Sequence, residues 1–600
     1  MQYEFFARPA VVISDRVTFA MAFAVLFVAA AESPSSVSAQ TTAAEIYGVQ
    51  LGKVHAEGFV LDRSGTVTVT ATCLDARNTK PLSSNAWILD AATRKPVWDF
   101  AEAATDRRGR NFRETKTDIR LAAGAYEVYY ASFLDWHDVH WRRDGVGDVV
   151  RNVIDEIFDR KKWDDWGDWD ERFEELRGDL GVTIRTDASV RRTTDMDALA
   201  KGFLNRAFLS IAAVEDDNYD VEGFRLSRPL QIDVYALGEM VDDDRYDYAW
   251  IIDADSRRKV WEMHRRNTAH AGGAEKNRMA RDRVRLDEGR YAVFYVSDGS
   301  HSTSEWNAPP PHDPDFWGVT LLASSSDDLG QITRFDYENV PLANAFVQLR
   351  EVRDDEHRRA GFTLSRSIPV RIYALGEGRS GHMFDYGWII DADTRRPVWK
   401  MEYADTDHAG GASKNRIVDL VVTLDAGTYE AHYATDDSHA FNEWNSDRPF
   451  DPHAWGITIV PANANDAGSV TTFSPESQQN HIVQIVRVGD DVERQRDFTL
   501  DKDTRIRVYA IGEGSGDRMY DYGWIENVDT GQVVWEMTYR MTEHAGGADK
   551  NRMTNSVVML PAGRYQVHYR SDDSHSHGDW NASPPFDTDY WGITLSRADK

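Results

Sequence analysis

Three strings of polar, ligand-forming side chains recur along this 600-residue chain at fixed spacing. His270, His408 and His544 each open a His-Ala-Gly-Gly-Ala string, and Lys276-Asn-Arg278, Lys414-Asn-Arg416 and Lys550-Asn-Arg552 follow six residues on. Twenty-eight residues after each His stands Asp298, Asp436 or Asp572, in a string that closes on His301, His439 or His575. Trp306-Asn307, Trp444-Asn445 and Trp580-Asn581 come next, with Trp317, Trp455 and Trp591 eleven residues beyond each Trp. Carboxylates and imidazoles in loops are the ligand types of divalent cations. Ca²⁺ would draw on the carboxylates and loop carbonyls, and Zn²⁺ on the paired His. All of these His, Lys, Arg, Asp, Trp and Asn residues are candidate ligand-binding positions. The Trp would be apolar or sugar-stacking contacts, Lys and Arg the anion partners, and a divalent cation such as Ca²⁺ the cofactor, with the metal ligands left open. Gly299 stands where the other copies have Asp437 and Asp573, so that carboxylate is dispensable.

The same strings also read as loop architecture. A His can cap backbone groups of its own tight loop, an Asp-Asp-Ser-His run can form an Asx or ST turn, and a Trp can close a core. A hydrolase would need a base and an activated nucleophile, and His439 with Asp436 and Arg416 is the set nearest to that. No Gly-x-Ser-x-Gly, His-Glu-x-x-His or phosphate-loop motif accompanies it. Three equal active sites on one chain suit catalysis less than avidity does.

The elements that position these strings repeat with them. Tyr248-Ala-Trp250, Tyr386-Gly-Trp388 and Tyr522-Gly-Trp524 precede the His by a constant interval, and Trp250 to Trp388 to Trp524 spans 138 and then 136 residues. A period of this length marks a repeated module. Within each, period-two patterns such as Leu420-Val-Val-Thr-Leu424 and Tyr429-Glu-Ala-His-Tyr433 alternate with turn clusters, as in an antiparallel sandwich. If consecutive strands run antiparallel, the Glu377 loop, Asp385, the His408 string and the Asp436 string all fall at one pole, where sandwiches place binding loops. Gly124, Gly289, Gly427 and Gly563, in the repeated Leu-x-x-Gly-x-Tyr turn, are expected to supply a positive φ.

The Leu-x-x-Gly-x-Tyr strand pair, following an acidic hairpin, resembles the bacterial pre-peptidase C-terminal (PPC-like) domain over the second half of each repeat. The resemblance implies a jelly-roll-like accessory β-sandwich of a secreted enzyme. The His-Ala-Gly-Gly-Ala and Asp-Asp-Ser-His strings are not part of that pattern. The expectation is an all-β chain of four tandem antiparallel, jelly-roll-like sandwiches at 44–185, 206–323, 345–461 and 481–597. Segments 186–205, 324–344 and 462–480 between them read as linkers or edge segments. The first unit keeps Trp87 to Trp98 but has Arg107-Arg-Gly-Arg110 and Phe133-Leu-Asp-Trp-His137 in place of the polar strings. An apolar stripe over about 140–178 reads as a helical insertion, either a cap on the array or a partner-recognition element.

Residues 1–39 read as an export signal, an apolar run at 17–31 ahead of Val37-Ser38-Ala39, with an uncleaved anchor as the alternative. A single cysteine, Cys73, excludes an internal disulfide. The net charge of −30 disfavours nucleic-acid partners. The sequence therefore points to an exported, periplasmic or surface, non-catalytic binding or adhesion-like protein. Its partners would be a glycan, the cell envelope or a protein, with no membrane span after cleavage; a ligand-free stalk is the alternative.

Overall fold

The computed structural model describes residues 40–598 apart from 81, 135–169, 243, 304, 338–341, 343 and 476–480. The expected export segment and residues 140–169 of the expected insertion lie outside the described residues. Of the insertion, 170–176 is helical, and Phe173 packs into the first unit's core.

The strands form eight sheets, two to a unit. In the third unit the first sheet runs Val347–Arg350, Gly456–Pro461, Ile368–Arg379, Asn415–Leu424, Asp407–His408. Its second sheet runs Pro397–Lys400, Tyr386–Asp391, Gly427–Ala434, His357–Leu364, Val470–Phe473. Every pairing between these strands is antiparallel. Alternation explains the core: Ile368, Val370 and Ile372 point inward from one sheet to meet Ile389, Ala431 and Tyr433 from the other, all fully buried. Each such aliphatic contributes roughly 1.5–3 kcal/mol on leaving water. The chain is thus a series of four antiparallel β-sandwiches.

The segments between units are edge strands. Val190–Thr193 pairs with the strand Lys53–Leu61, Ile332–Phe335 with Tyr219–Leu226, and Val470–Phe473 with His357–Leu364. The first of these segments also carries the helix Met196–Leu204, whose Phe203 wedges edge-on against Tyr235 and Phe316 of the second unit.

Successive units lock together at one recurring joint. Trp87, Trp250 and Trp388 stand on the outer face of the second sheet, yet each is buried by the next unit. Trp87 Nε1 donates to His312 O at 2.7 Å and Trp250 Nε1 to Phe450 O at 2.8 Å. Seven residues on, Arg94, Arg257 and Arg395 sit in the left-handed region (φ 53°, 59° and 53°) at the tip of the hairpin. They reach Asp313, Asp451 and Asp587 of the following unit, acids that also accept a hydrogen bond from Tyr235, Tyr373 and Tyr509. In the fourth unit Gly531 takes the arginine's place and Trp524 is only half-buried.

Glycine serves the turns differently from the sequence expectation. Of the four turn glycines Gly124 has a positive φ, at 159°, while Gly289, Gly427 and Gly563 are not among the positive-φ residues. What the Leu-x-x-Gly-x-Tyr turn needs is the tyrosine, whose hydroxyl folds back to donate to Asp425 O at 3.0 Å in the third unit and to Pro561 O at 2.9 Å in the fourth. Among the glycines that do have positive φ are those of the His-Ala-Gly-Gly-Ala loops. Gly411 has φ +63°, and a Cβ there would lie 1.9 Å from Arg448 O.

Candidate functional site

The pole deduced from strand order exists in units two to four. In the third unit, Glu377 lies two residues before the end of the strand Ile368–Arg379, and its carbonyl accepts from Phe384 N at 2.8 Å, which turns the chain straight into Asp385. Asp385 is fully buried: Oδ1 accepts from Asp436 N at 2.9 Å and Oδ2 from Trp455 Nε1 at 3.0 Å. That bond ties the loop after Gly427–Ala434 to the turn before Tyr386–Asp391. Asp436 in turn accepts from Ser438 N at 3.1 Å, the Asx turn the sequence allows.

Lys414 reaches across the pole, pairing with Glu377 Oε1 at 3.1 Å and donating to Asn445 Oδ1 at 2.5 Å. Its neighbour Asn415 is the hub of the loops. Nδ2 donates to Gly410 O and Asp447 O, both at 2.8 Å, and Oδ1 lies 2.6 Å from His439 Nε2. His439 is buried in the left-handed region (φ 60°), with Trp444 and Trp455 edge-on to its ring at 5.1 and 5.8 Å. The other units copy this wiring. Lys276 meets Glu239 at 3.1 Å and Asn307 at 2.8 Å, and Lys550 meets Glu513 at 3.0 Å and Asn581 at 2.5 Å. His301 and His575 meet Asn277 and Asn551 at 2.6 Å, and the amides of Asp298 and Asp572 donate to Asp247 and Asp521 at 2.9 Å. Trp306 and Trp580 stand edge-on to Trp317 and Trp591 at 5.1 and 5.0 Å, closing the core rather than forming a flat open platform.

Two groups named from sequence fall outside this cluster. His270, His408 and His544 are exposed, each with Nε2 3.0–3.1 Å from a carbonyl of its own loop (Ala274, Ala412, Ala548). Arg278, Arg416 and Arg552 turn to the edge strand instead, holding the carbonyl and hydroxyl of Thr268, Thr406 and Thr542. Arg416 therefore does not join His439 and Asp436, and the hydrolase set is not assembled. Conversely, the sequence reading left Glu377 out as a ligand and Asn415 out as a hub. The Gly-Glu pairs at Gly238-Glu239, Gly376-Glu377 and Gly512-Glu513 repeat as regularly as the His strings and were the available signal.

The electrostatics of the pole are those of crowded acids. Burial, then the neighbouring carboxylates, raise Asp385 well above the usual range, and burial raises Glu377 and Asp436 too. The same causes push Asp521 up to about 8, and burial pushes Glu239 up to about 7. Burial, reinforced by Lys414 and Lys550, lowers His439 and His575 to about 4, so both rings are neutral at physiological pH. One oxygen from each of Glu377, Asp385 and Asp436 lies within 4.8 Å of the others, and Glu513, Asp521 and Asp572 repeat the arrangement. Two oxygens on one Ca²⁺, each at about 2.3–2.6 Å, stand no more than about 5 Å apart, so either triad fits that ion's reach and its preference for hard oxygen. Glu377 Oε2 and Glu513 Oε2 are buried without a hydrogen-bond partner, leaving one lone-pair-bearing oxygen per triad to coordinate.

No family model matches the sequence, and no curated protein matches it. Among solved structures, the chain is similar to the CUB1-EGF-CUB2 domains of rat MASP-1, at 9% identity over 42% of this chain and 93% of that one, with a TM-score of 0.13. It is also similar to the arabinofuranosyltransferase AftD from Mycobacteria (mutant R1389S), at 8% identity over 87% of this chain and 39% of that one, with a TM-score of 0.11. At these TM-scores neither likeness bears on the fold or function of the chain. No helix among the described residues is long and apolar enough to cross a membrane.

Proposed function

We propose that this chain is an exported, non-catalytic binding protein built as a stiff series of sandwiches. Its third and fourth units each hold a divalent cation, Ca²⁺ by donor chemistry. Glu377, Asp385 and Asp436 take one ion, and Glu513, Asp521 and Asp572 the other; the loops the ion orders are the surface that meets a protein or glycan ligand. The observation that carries the reading is the triad itself: three carboxylates within one ion's reach, two of them buried, all pushed toward protonation by burial and mutual repulsion. A 2+ charge relieves that repulsion where a single lysine, bonded to Glu377 alone of the three, relieves only part of it. Repetition suits a binder, since linked weak sites gain avidity without new contacts.

Thermal unfolding of the full chain, stripped with chelator and then given Ca²⁺, Mg²⁺, Mn²⁺ or Zn²⁺, tests the reading. At about 100 times its dissociation constant an ion adds about 2.7 kcal/mol per site. A rise specific to Ca²⁺ supports the reading, and no rise with any ion removes it. A ligand-free scaffold is the second reading, favoured by one observation: Lys414 bonds Asn445 and Glu377, and Asn415 bonds two loop carbonyls and His439 Nε2, so both side chains are spent within the pole.

A further inference from the structure

The joint between the third and fourth units carries two adjacent histidines on its sheet face. At the second joint the same face presents Tyr219 at the start of its strand and Phe294 across from Trp250. The third unit has His357 and His432 at those places, and Arg359 where Val221 stands. His432 is fully buried and His357 partly so. Both rings lie nearly parallel to that of Trp388, His432 with its centre 5.2 Å away and His357 5.5 Å.

Their nitrogens form a chain across the joint. His357 Nδ1 lies 2.9 Å from Thr588 Oγ1 of the fourth unit, and its Nε2 lies 3.1 Å from His432 Nδ1. His432 Nε2 faces Glu430 at 3.5 Å. The charges around this chain already balance. Arg395 holds Glu430 and Asp587, both at 2.6 Å. Asp589 is held by Arg359 at 3.1 Å and Arg487 at 2.9 Å, with His577 3.7 Å away. Arg359 also stands 3.9 Å from Glu430. Each carboxylate facing the pair is thus committed to an arginine.

We propose that the third joint is an acid-sensitive hinge: protonation of the His357–His432 pair favours release of the fourth unit from the third. The Thr588 hydroxyl can turn to accept a hydrogen from a charged His357, but the added charge meets no uncommitted acid. A charge held out of water without its own partner is costly, and opening the joint gives it water instead. In the docked chain burial, then His432, hold His357 down to about 3, against the ordinary 6.5 of a free histidine. The docked state therefore has its full advantage above pH 6.5 and loses it as pH falls from 6.5 toward 3. The other joints differ. His312 at the first lies 2.8 Å from Asp99, and His453 at the second lies 3.1 Å from Glu351, so a proton on either finds a counter-ion in place.

The indole N–H of Trp388 reports this joint, being buried there with no hydrogen-bond partner among the described residues. Its exchange in heavy water is followed by NMR on the full chain with isotope-labelled tryptophan. Corrected for the intrinsic pH dependence of indole exchange, the rate gives the opening constant of the joint. The indole of Trp250, at the second joint, is the internal reference. From pH 6.5 to pH 5 the Trp388 opening constant is expected to rise up to about tenfold per pH unit, while that of Trp250 stays level. The variant H357Q/H432Q keeps hydrogen-bonding side chains that do not titrate and is expected to abolish the rise. If glutamine loosens the joint at pH 7, H357Y/H432F makes the same comparison with side chains that already coexist at the second joint. A Trp388 opening constant equal at pH 7 and pH 5, or an equal rise in the non-titrating variant, would overturn the proposal.

Discussion

Arg395, on a hairpin tip of the third unit, reaches Asp587 of the fourth, its Nε 2.9 Å and its Nη2 2.6 Å from the carboxylate, with both side chains buried. Nη1 holds Glu430 of its own unit at 2.6 Å, so the guanidinium bridges the two sandwiches with all three nitrogens engaged. Arg94 repeats the arrangement with Asp313 and Glu127, whereas Arg257 meets Asp451 through Nη1 at 3.4 Å and bonds Tyr337 with the same nitrogen, Ala292 standing where the third unit has Glu430. A series joined this way behaves as nearest-neighbour units whose interfaces, more than their linkers, set the overall stiffness.

Breaking one lock leaves a buried acid unpaired. Arg395→Ala should cost about 3–5 kcal/mol at the third joint, because buried Asp587 loses its counter-ion out of water and Glu430 is left with Arg359, 3.9 Å away. Urea unfolding of the full chain is the measurement, and the fourth unit should then melt separately from the rest. A single unchanged transition would mean that the joint is held by Trp388 and its apolar neighbours alone.

Gly411→Ala should damage the pole without touching a carboxylate. The new Cβ meets Arg448 O at 1.9 Å in a backbone of φ +63°, so the two loops must part. Non-glycine residues in such conformations cost about 1–3 kcal/mol before any clash is added. Hydrogen exchange is expected to quicken at the Ala412 and Asn415 amides first, since Ala412 N donates to Asp447 O across the two loops and Asn415 N to Ala412 O.

The pole titrates in two directions, which separates its groups. His575 is lowered to about 4 in the folded chain, from the ordinary 6.5 of a free histidine. Its contribution is therefore present above the unfolded value and is lost as pH falls from 6.5 toward 4. Asp521 is raised to about 8 from 3.8, so its contribution is fully present at low pH and is lost as pH rises toward 8. Between pH 6.5 and 8 the histidine is silent. Chelated protein should then lose about 1–2 kcal/mol of stability over that window from the fourth unit alone. With saturating Ca²⁺ the slope should vanish, because the ion takes the proton's place. Urea midpoints across pH, with and without Ca²⁺, give the comparison.

Much of this was legible in the chain. Period-two alternation around Leu420 and Tyr429 gave the sandwich, and strand parity alone brought Asp385, Lys414, Asp436 and His439 to one pole, where their hydrogen bonds now place them. Parity cannot say which way a side chain turns. Arg416 and Lys414 sit two apart on one string, and only the lysine enters the cluster, the arginine facing Thr406 across the edge. The joints were illegible for another reason. Arg395 and Asp587 are 192 residues apart, and repetition reveals what recurs within a unit but not which unit answers it. The glycine of the Gly-x-Tyr turn shows the reverse error, a conformational role assigned where a tyrosine hydroxyl does the work of closing the turn.

Isothermal titration of Ca²⁺ into the chelator-stripped full chain tests the central claim most directly, run beside the double variant Glu377→Gln, Glu513→Gln. The expected result is two bound ions per chain, with affinity rising as pH approaches 8, and loss of both ions in the double variant while its fold persists. Absence of binding, or the same stoichiometry and affinity in the double variant, would contradict the assignment of the two triads as cation sites.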